Sequence, residues 1–229
     1  RLSGLILITK CRQFHVDGLG IWHGGDYGLM NIAVPIISRP ELTMPDAEGA
    51  HLRDAYAQAN VILEYGVGGS TVLAAEMAIK TITSVETDQV WVNMIANWFA
   101  QNPVASMPDV IWANIGKTKE WGRPADESHW KDYSKYPLEI WSLEDLVHPD
   151  VVLVDGRFRA GCVLATAFNC SRETRVLVDD YSRRPSYHAV EKIVGAPRLI
   201  GRMAEFEITP TPIPTEHLLE IISLMQDPY

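Results

Sequence analysis

The stretch VILEYGVGGST, residues 61–71, joins an apolar run to three glycines and two hydroxyl side chains. The run Val61–Tyr65 predicts a strand, and Gly66 and Gly68 permit a tight turn with close approach of the backbone to a ligand. Such a stretch is typical either of a plain strand-to-helix turn or of the mouth of a nucleotide site. The surrounding sequence has to separate these two interpretations.

Strand and helix patterns alternate on both sides of this turn. A helix is predicted to begin at Thr43 as its N-cap, and Asp88 is predicted to cap a later helix. The other predicted strands lie at 81–86, 109–115, 150–155, 175–180 and, as two short strands, within 198–209. The other predicted helices lie at 71–79, 89–102, 159–169, 186–194 and 215–226. This alternation predicts one doubly wound, mostly parallel α/β sheet with an antiparallel last strand.

Domain organisation follows from the same patterns. We expect residues 30–229 to form a single domain, with an aromatic-rich insert at 116–149 that is longer than a usual connection. The insert is interpreted either as a lid over the sheet edge or as plain packing. Residues 1–29 are Gly-rich without a clear period and are predicted to be a disordered or artefactual extension. The alternative is an N-terminal arm that covers an active site.

Charge and cysteine content narrow the function classes. The chain has 20 Lys and Arg against 29 Asp and Glu, a formal charge of −9, which argues against nucleic-acid and membrane partners. Three cysteines without a CxxC pair are typical of a reducing, cytoplasmic setting. No apolar run reaches transmembrane length. We therefore expect a cytoplasmic protein with a small-molecule substrate, and its oligomeric state stays open.

The next strand brings a second polar group to the predicted site. Glu86 ends that strand 20 residues after Gly66, where an acid can accept both hydroxyls of a ribose. A dinucleotide fingerprint requires a third small residue, but Thr71 stands at that position. Glu64 would bring a negative charge to the loop, which suits a sulfonium and an ammonium better than a pyrophosphate. The charges therefore favour S-adenosylmethionine over NAD.

Four stretches in this order, VILEYGVGGST, TSVETD, DVVLVDG and VLVDDY, resemble the class I S-adenosylmethionine-dependent methyltransferases over roughly residues 43–209. The resemblance implies a seven-stranded, Rossmann-like sheet. It also implies that the cofactor is bound by Glu64, Gly66, Gly68, Thr71, Glu86, Asn114 and Asp155. In that family the loop residues meet the methionine part, and the acid ending the second strand holds the ribose. A polar residue ending the third strand, here Asn114, often meets the adenine, and the residue ending the fourth lies by the reacting methyl group. Gly69 and Ser70 depart from the commoner GxGxG spelling.

Acidic residues end two predicted neighbouring strands, and they raise the question of a metal. The same stretches resemble the metal-dependent O-methyltransferases of the catechol and macrocin types, which implies Mg²⁺ bound by Asp155, Asp179 and Asp180. The resemblance is incomplete, because the catechol type has Asp-Asn at the second strand end and a Lys where Phe158 stands. The alternative is that these aspartates cap helices and bind no metal.

These observations predict methyl transfer from S-adenosylmethionine to an oxygen of a small molecule, with nitrogen as the second choice. The candidate catalytic residues are Asp155, Asp180 and His188, the last as a general base. Two other functions stay open, a nicotinamide-linked oxidoreductase and a methyltransferase-like binding protein without catalysis.

Overall fold

The computed structural model describes residues 38–229 and, for their backbone alone, Arg12 and Gln13. The predicted N-terminal extension, residues 1–29, therefore lies outside the described residues except for these two. The strands are β1 (Arg12–Gln13), β2 (Val61–Tyr65), β3 (Thr81–Glu86), β4 (Asp109–Trp112), β5 (Thr118–Lys119), β6 (Arg123–Pro124), β7 (Val151–Val154), β8 (Thr174–Val178), β9 (Arg198–Ile200) and β10 (Met203–Ile208). The α-helices are α1 (Asp46–Gln58), α2 (Gly69–Glu76), α3 (Gln89–Gln101), α4 (Lys135–Leu138), α5 (Arg159–Asn169), α6 (Glu191–Val194) and α7 (Leu218–Gln226).

The main sheet has the strand order β1-β4-β3-β2-β7-β8-β10-β9. Neighbours from β1 to β8 pair in parallel, and β10 pairs antiparallel with both β8 and β9. Seven of these strands form the predicted mostly parallel sheet with an antiparallel last strand, so the predicted fold class is confirmed. The short strand β1 adds an eighth strand at the β4 edge.

Helices cover both faces of this sheet. One face packs against α1, α2 and α3 through side chains such as Leu52, Val72 and Ile95. The other face packs against α5, α7 and the aromatic-rich insert through Val163, Ile221 and Tyr136. The chain passes from β2 to β3 on one side, and β7 later pairs on the other side of β2. The crevice of such a sheet lies at this switch point, outside the carboxyl ends of the strands.

Of the two helix N-caps predicted from the sequence, one is confirmed by the structure and one is wrong. Asp88 caps α3 as predicted, because its Oδ1 accepts hydrogen bonds from the N–H groups of Val90 and Trp91 at 2.9 and 3.1 Å. The predicted cap at Thr43 is wrong, since α1 begins at Asp46 with Pro45 as its N-cap residue. The physical reason is that a proline disfavours helical backbone in the residue before it, so the helix cannot start ahead of Pro45.

The insert at 116–149 is a packed part of the domain. It contains the β5–β6 hairpin, α4 and a 3₁₀ turn at Glu139–Ser142. The hydroxyl of Tyr65, at the end of β2, donates to the carbonyl of Pro137 at 2.7 Å and accepts from Trp141 Nε1 at 2.8 Å. The insert is thereby anchored to the carboxyl end of the central strand. No helix among the described residues is long and apolar enough to cross a membrane.

Candidate functional site

The glycine loop after β2 has one closed and one open position. Gly66 adopts φ +108°, and a β-carbon there would lie 2.8 Å from the backbone nitrogen of Gly156. A β-carbon on Gly68 would meet no atom within 4 Å. Gly66 is therefore required by the fold, whereas the backbone at Gly68 is open to a ligand.

Side chains of Thr71 and Trp91 form hydrogen bonds with the backbone of this loop. The N–H of Gly68 donates to the Oγ1 of Thr71 at 3.1 Å, and Thr71 is fully buried. Thr71 therefore stabilises the start of α2, and its predicted cofactor contact stays a prediction. Trp91 Nε1 donates to the carbonyl of Val67 at 2.7 Å. A surface cavity of about 590 Å³ lies between Trp91 and residues 38–43.

Glu64 lies beneath the loop rather than at its open side. Its carboxylate is fully buried and accepts hydrogen bonds from the hydroxyls of Tyr56 and Ser84, each at 2.7 Å. Burial raises the pKa of Glu64, and the hydroxyls that bind it oppose that shift. Any influence of Glu64 on a cationic ligand is therefore exerted through the loop and not by direct exposure. Glu64 and Glu86 lie on the same sheet face, because Glu64 pairs with Ser84 and Glu86 is two residues further along β3.

Glu86 connects β3 to the glycine loop. Its Oε2 accepts from the N–H of Val67 at 3.2 Å, and its Oε1 accepts from the N–H groups of Thr87 and Asp88 at 2.7 and 3.0 Å. Burial raises the pKa of Glu86, while these backbone hydrogen bonds act in the opposite direction. The carboxylate therefore lies at the carboxyl edge of the sheet, next to the loop, as the resemblance implied.

The insert covers this part of the crevice. A β-carbon on Gly156 would lie 2.2 Å from the hydroxyl oxygen of Tyr136, and one on Gly122 would lie 3.0 Å from Oε1 of Glu86. The carbonyl of Gly122 also accepts from the Thr87 hydroxyl at 2.9 Å. Burial and the charge of Glu86 raise the pKa of Tyr136 well above its ordinary value. The insert is therefore packed against the strand ends beside the candidate site, and its interpretation as a lid stays a prediction.

Asp155 lies immediately after β7, and its backbone N–H donates to the carbonyl of Tyr65 at 2.9 Å. Its Oδ1 is 3.2 Å from a guanidinium nitrogen of the buried Arg159. About a third of the Asp155 side chain is exposed to solvent. Burial, together with the charges of Asp179 and Asp180, raises the pKa of Asp155 to about 7, and Arg159 opposes the shift. A pKa near neutral pH is what a general base requires.

Arginines neutralise the other two predicted metal ligands. Arg202 binds both oxygens of the buried Asp179 at 2.9 and 2.6 Å, and its Nε lies 3.2 Å from Asp180. Among residues 12–13 and 38–229, no group of three His, Cys, Asp or Glu side chains is arranged to hold a metal ion. The predicted magnesium site does not fit, because a guanidinium already occupies the carboxylate oxygens.

The last two predicted site residues, Asn114 and His188, contact residues close to them in the sequence. Asn114 is exposed two residues beyond β4, and its Oδ1 accepts from the N–H of Gly116 at 3.0 Å. His188 is exposed, stacks on Tyr181 with 4.7 Å between ring centroids, and has its Nε2 3.3 Å from the Tyr181 carbonyl. Their roles in adenine binding and in catalysis stay predictions.

Four residues near the site were not predicted as site residues. Tyr136 and Gly122 lie in the insert, and nothing in their local sequence indicates which strand end they cover. Arg202 lies 23 residues from Asp179, so only the pairing of β10 with β8 brings them together. Arg159 follows Asp155 by four residues at the start of a predicted helix, and that spacing was the one available signal.

The fold and the strand-end site define the class I methyltransferase architecture. A methyltransferase-like protein from Silicibacter pomeroyi, known from its crystal structure, is 52% identical to this chain, with 83% of this chain and 99% of that chain covered and a TM-score of 0.80. The chain belongs to this methyltransferase-like family.

More distant structures are also similar. The O-methyltransferase TomG from Streptomyces achromogenes is 19% identical over 62% of this chain and 58% of its own, with a TM-score of 0.44. An S-adenosylmethionine-dependent O-methyltransferase from Thermotoga maritima is 9% identical over 74% and 68%, with a TM-score of 0.48. A scan against models of protein families gives no match, and neither does a search of curated proteins.

Proposed function

We propose that this protein transfers a methyl group from S-adenosylmethionine to an oxygen atom of a small-molecule acceptor. One observation carries the proposal, the 3.2 Å hydrogen bond from the N–H of Val67 to the Oε2 of Glu86. It joins the open glycine loop and the strand-end acid at one place, next to the unobstructed position of Gly68. A nucleoside sugar at the acid and an amino-acid moiety at the loop would satisfy both groups.

The residues around the contact between the glycine loop and Glu86 suit a nucleophilic displacement. When bound, S-adenosylmethionine supplies the methyl group, which the acceptor oxygen takes in line while the sulfur keeps the bonding electron pair. Asp155 would receive the proton of the acceptor hydroxyl, since its pKa of about 7 allows the base form at neutral pH. Arg159 donates to the backbone carbonyls of Gly156 and Asp155 and so keeps the turn that carries Asp155 in place. The remaining contribution of the protein is orientation of the two reactants.

A second candidate function is supported by the position of the insert. Tyr136 and Gly122 lie against Gly156 and Glu86, so the insert packs beside the strand-end acid. A methyltransferase-like protein that binds a ligand without turnover would also have such a covered crevice. The two candidates differ in whether a methyl group is transferred.

The test combines binding with turnover. Calorimetry with S-adenosylhomocysteine should give saturable binding to the wild type, and Glu86→Ala should weaken it by about 1–3 kcal/mol because the ribose acceptor is lost. Glu207→Gln, on an exposed side chain of β10, is the matched control and should bind like the wild type. Binding of NADH without binding of S-adenosylhomocysteine would indicate the oxidoreductase instead. Binding without methyl transfer to any of a broad panel of hydroxyl and amine acceptors would favour the non-catalytic candidate.

A further inference from the structure

Two arginines beside the candidate site have buried guanidinium atoms without hydrogen-bond partners. The Nε atoms of Arg123 and Arg157 are both inaccessible to solvent, and neither makes a hydrogen bond in the structure. A buried donor without a partner costs free energy, and the cost is larger for a charged group. Both arginines therefore have donor capacity that the folded chain does not use.

Their positions place them at the edge of the crevice. Arg157 follows Asp155 by two residues, in the turn between β7 and α5. Arg123 follows Gly122, the residue whose carbonyl binds Thr87 beside Glu86. The two side chains are thus carried by the β7–α5 turn and by the insert.

The charges around them are unbalanced. The pKa of Arg157 is lowered by burial and then by the positive charges of Arg159 and Arg123, so the three guanidiniums repel one another. Arg159 is compensated, because it lies 3.2 Å from the carboxylate of Asp155 and donates to backbone carbonyls. For Arg123 and Arg157 no carboxylate is bound among residues 38–229. An anion between them would relieve the repulsion and satisfy the unused donors.

We propose that Arg123 and Arg157 bind an acidic group of the methyl acceptor, a carboxylate or a phosphate. This inference rests on the proposed function and specifies its substrate class, a hydroxylated small molecule that carries a negative charge. A planar guanidinium matches the paired oxygens of either anion, and two guanidiniums on different elements fix the orientation of the bound molecule. The anion would hold the acceptor beside Asp155, two residues from Arg157, where its hydroxyl proton is to be removed.

The experiment uses inorganic phosphate and acetate as probes, titrated into the wild-type protein at constant ionic strength set with sodium chloride. We expect saturable binding of at least one probe. Arg123→Gln and Arg157→Gln should each lower its affinity about tenfold or more, since each removes one charge-assisted contact. Arg157→Lys, which keeps the charge but loses the planar fork, should bind more weakly than the wild type and serves if Arg157→Gln does not fold. The control is Arg183→Gln, at an exposed arginine, which should bind the probe like the wild type.

Titration of S-adenosylhomocysteine into the same proteins separates this proposal from the proposed function. We expect its affinity to be the same within about twofold in the two glutamine variants, because the arginines contact the acceptor and not the cofactor. A wild type that binds S-adenosylhomocysteine but neither probe overturns the anion site and leaves the proposed function standing. Equal loss of probe binding in Arg183→Gln also overturns it. Probe binding without any binding of S-adenosylhomocysteine overturns the proposed function and, with it, the acceptor role of the two arginines.

Discussion

The backbones of Gly66 and Gly156 are in close contact just beyond the carboxyl ends of the neighbouring strands β2 and β7. A β-carbon on Gly66 would be 2.8 Å from the backbone nitrogen of Gly156, and the carbonyl of Tyr65 accepts from that same nitrogen at 2.7 Å. The turns after β2 and β7 are therefore in direct contact. This contact closes one side of the crevice and leaves Gly68 as the open position of the loop.

The two loop glycines should respond differently to alanine. Gly66→Ala should lower the free energy of unfolding by about 1–3 kcal/mol, because its φ of +108° is strained for any side chain and the new carbon meets Gly156. Gly68→Ala should cost less than about 1 kcal/mol, since its β-carbon enters open space. It should nevertheless weaken the binding of S-adenosylhomocysteine. Urea unfolding and calorimetry check both, and a Gly68→Ala variant with unchanged affinity would show that the loop does not face the cofactor.

Asp155 should make stability depend on pH in a defined direction. Its folded-state pKa of about 7 lies above the unfolded value of about 4, so between these limits the folded protein holds more protons. The contribution of Asp155 to the free energy of unfolding is therefore fully present at and below about pH 4, falls as the pH rises to about 7, and is constant above that. Asp155→Asn should remove this slope, and above pH 7 it should be more stable than the wild type by about 1 kcal/mol. This value is reduced because about a third of the Asp155 side chain is exposed to solvent.

Chemical denaturation of Asp155→Asn and the wild type at several pH values measures that slope. Asp54→Asn, at an exposed aspartate of α1, is the control and should follow the wild type at every pH. Identical slopes in Asp155→Asn and the wild type would contradict the raised pKa. The pH profile of any methyl transfer should also rise through about pH 7, because only the ionised carboxylate accepts a proton.

Arg202 should contribute strongly to stability. Arg202→Gln leaves the carboxylate of Asp179, which is 2% exposed, without its cation, and the expected loss is about 3–5 kcal/mol. Arg39→Gln is the matched control, because Arg39 binds both oxygens of Glu76 at 2.9 and 2.8 Å in an exposed pair. Such a pair should contribute less than about 1 kcal/mol. Equal losses in the two variants, measured by urea unfolding, would mean that burial of the Asp179 pair has no energetic consequence.

Magnesium should not stabilise the wild-type protein. Arg202 contacts both Asp179 and Asp180, and a cation would have to displace it before it could bind their oxygens. Thermal melting in magnesium chloride should therefore match melting in sodium chloride of the same ionic strength. A magnesium-specific increase that disappears in an Asp155→Asn, Asp180→Asn double variant would restore the metal site to consideration.

Much of the architecture could be predicted from local patterns in the amino-acid sequence. The predicted bounds of β2, β3 and α5 agree with the structure to the residue, as does the cap at Asp88. Apolar periodicity and capping act over a few residues, so a sequence window contains the whole signal. The failure at Thr43 has the same local origin, because the restriction that Pro45 places on the preceding residue outweighs a good capping side chain.

The sequence by itself determined the alternation of strands and helices, the parallel sheet, and the acidic and glycine residues at the strand ends. Only the tertiary structure decided that Glu64 lies beneath the loop, that Arg202 neutralises Asp179, and that Tyr136 covers Gly156. The physical reason is distance along the chain. Arg202 and Asp179 are 23 residues apart, and their contact depends on how β10 pairs with β8, which no local propensity specifies.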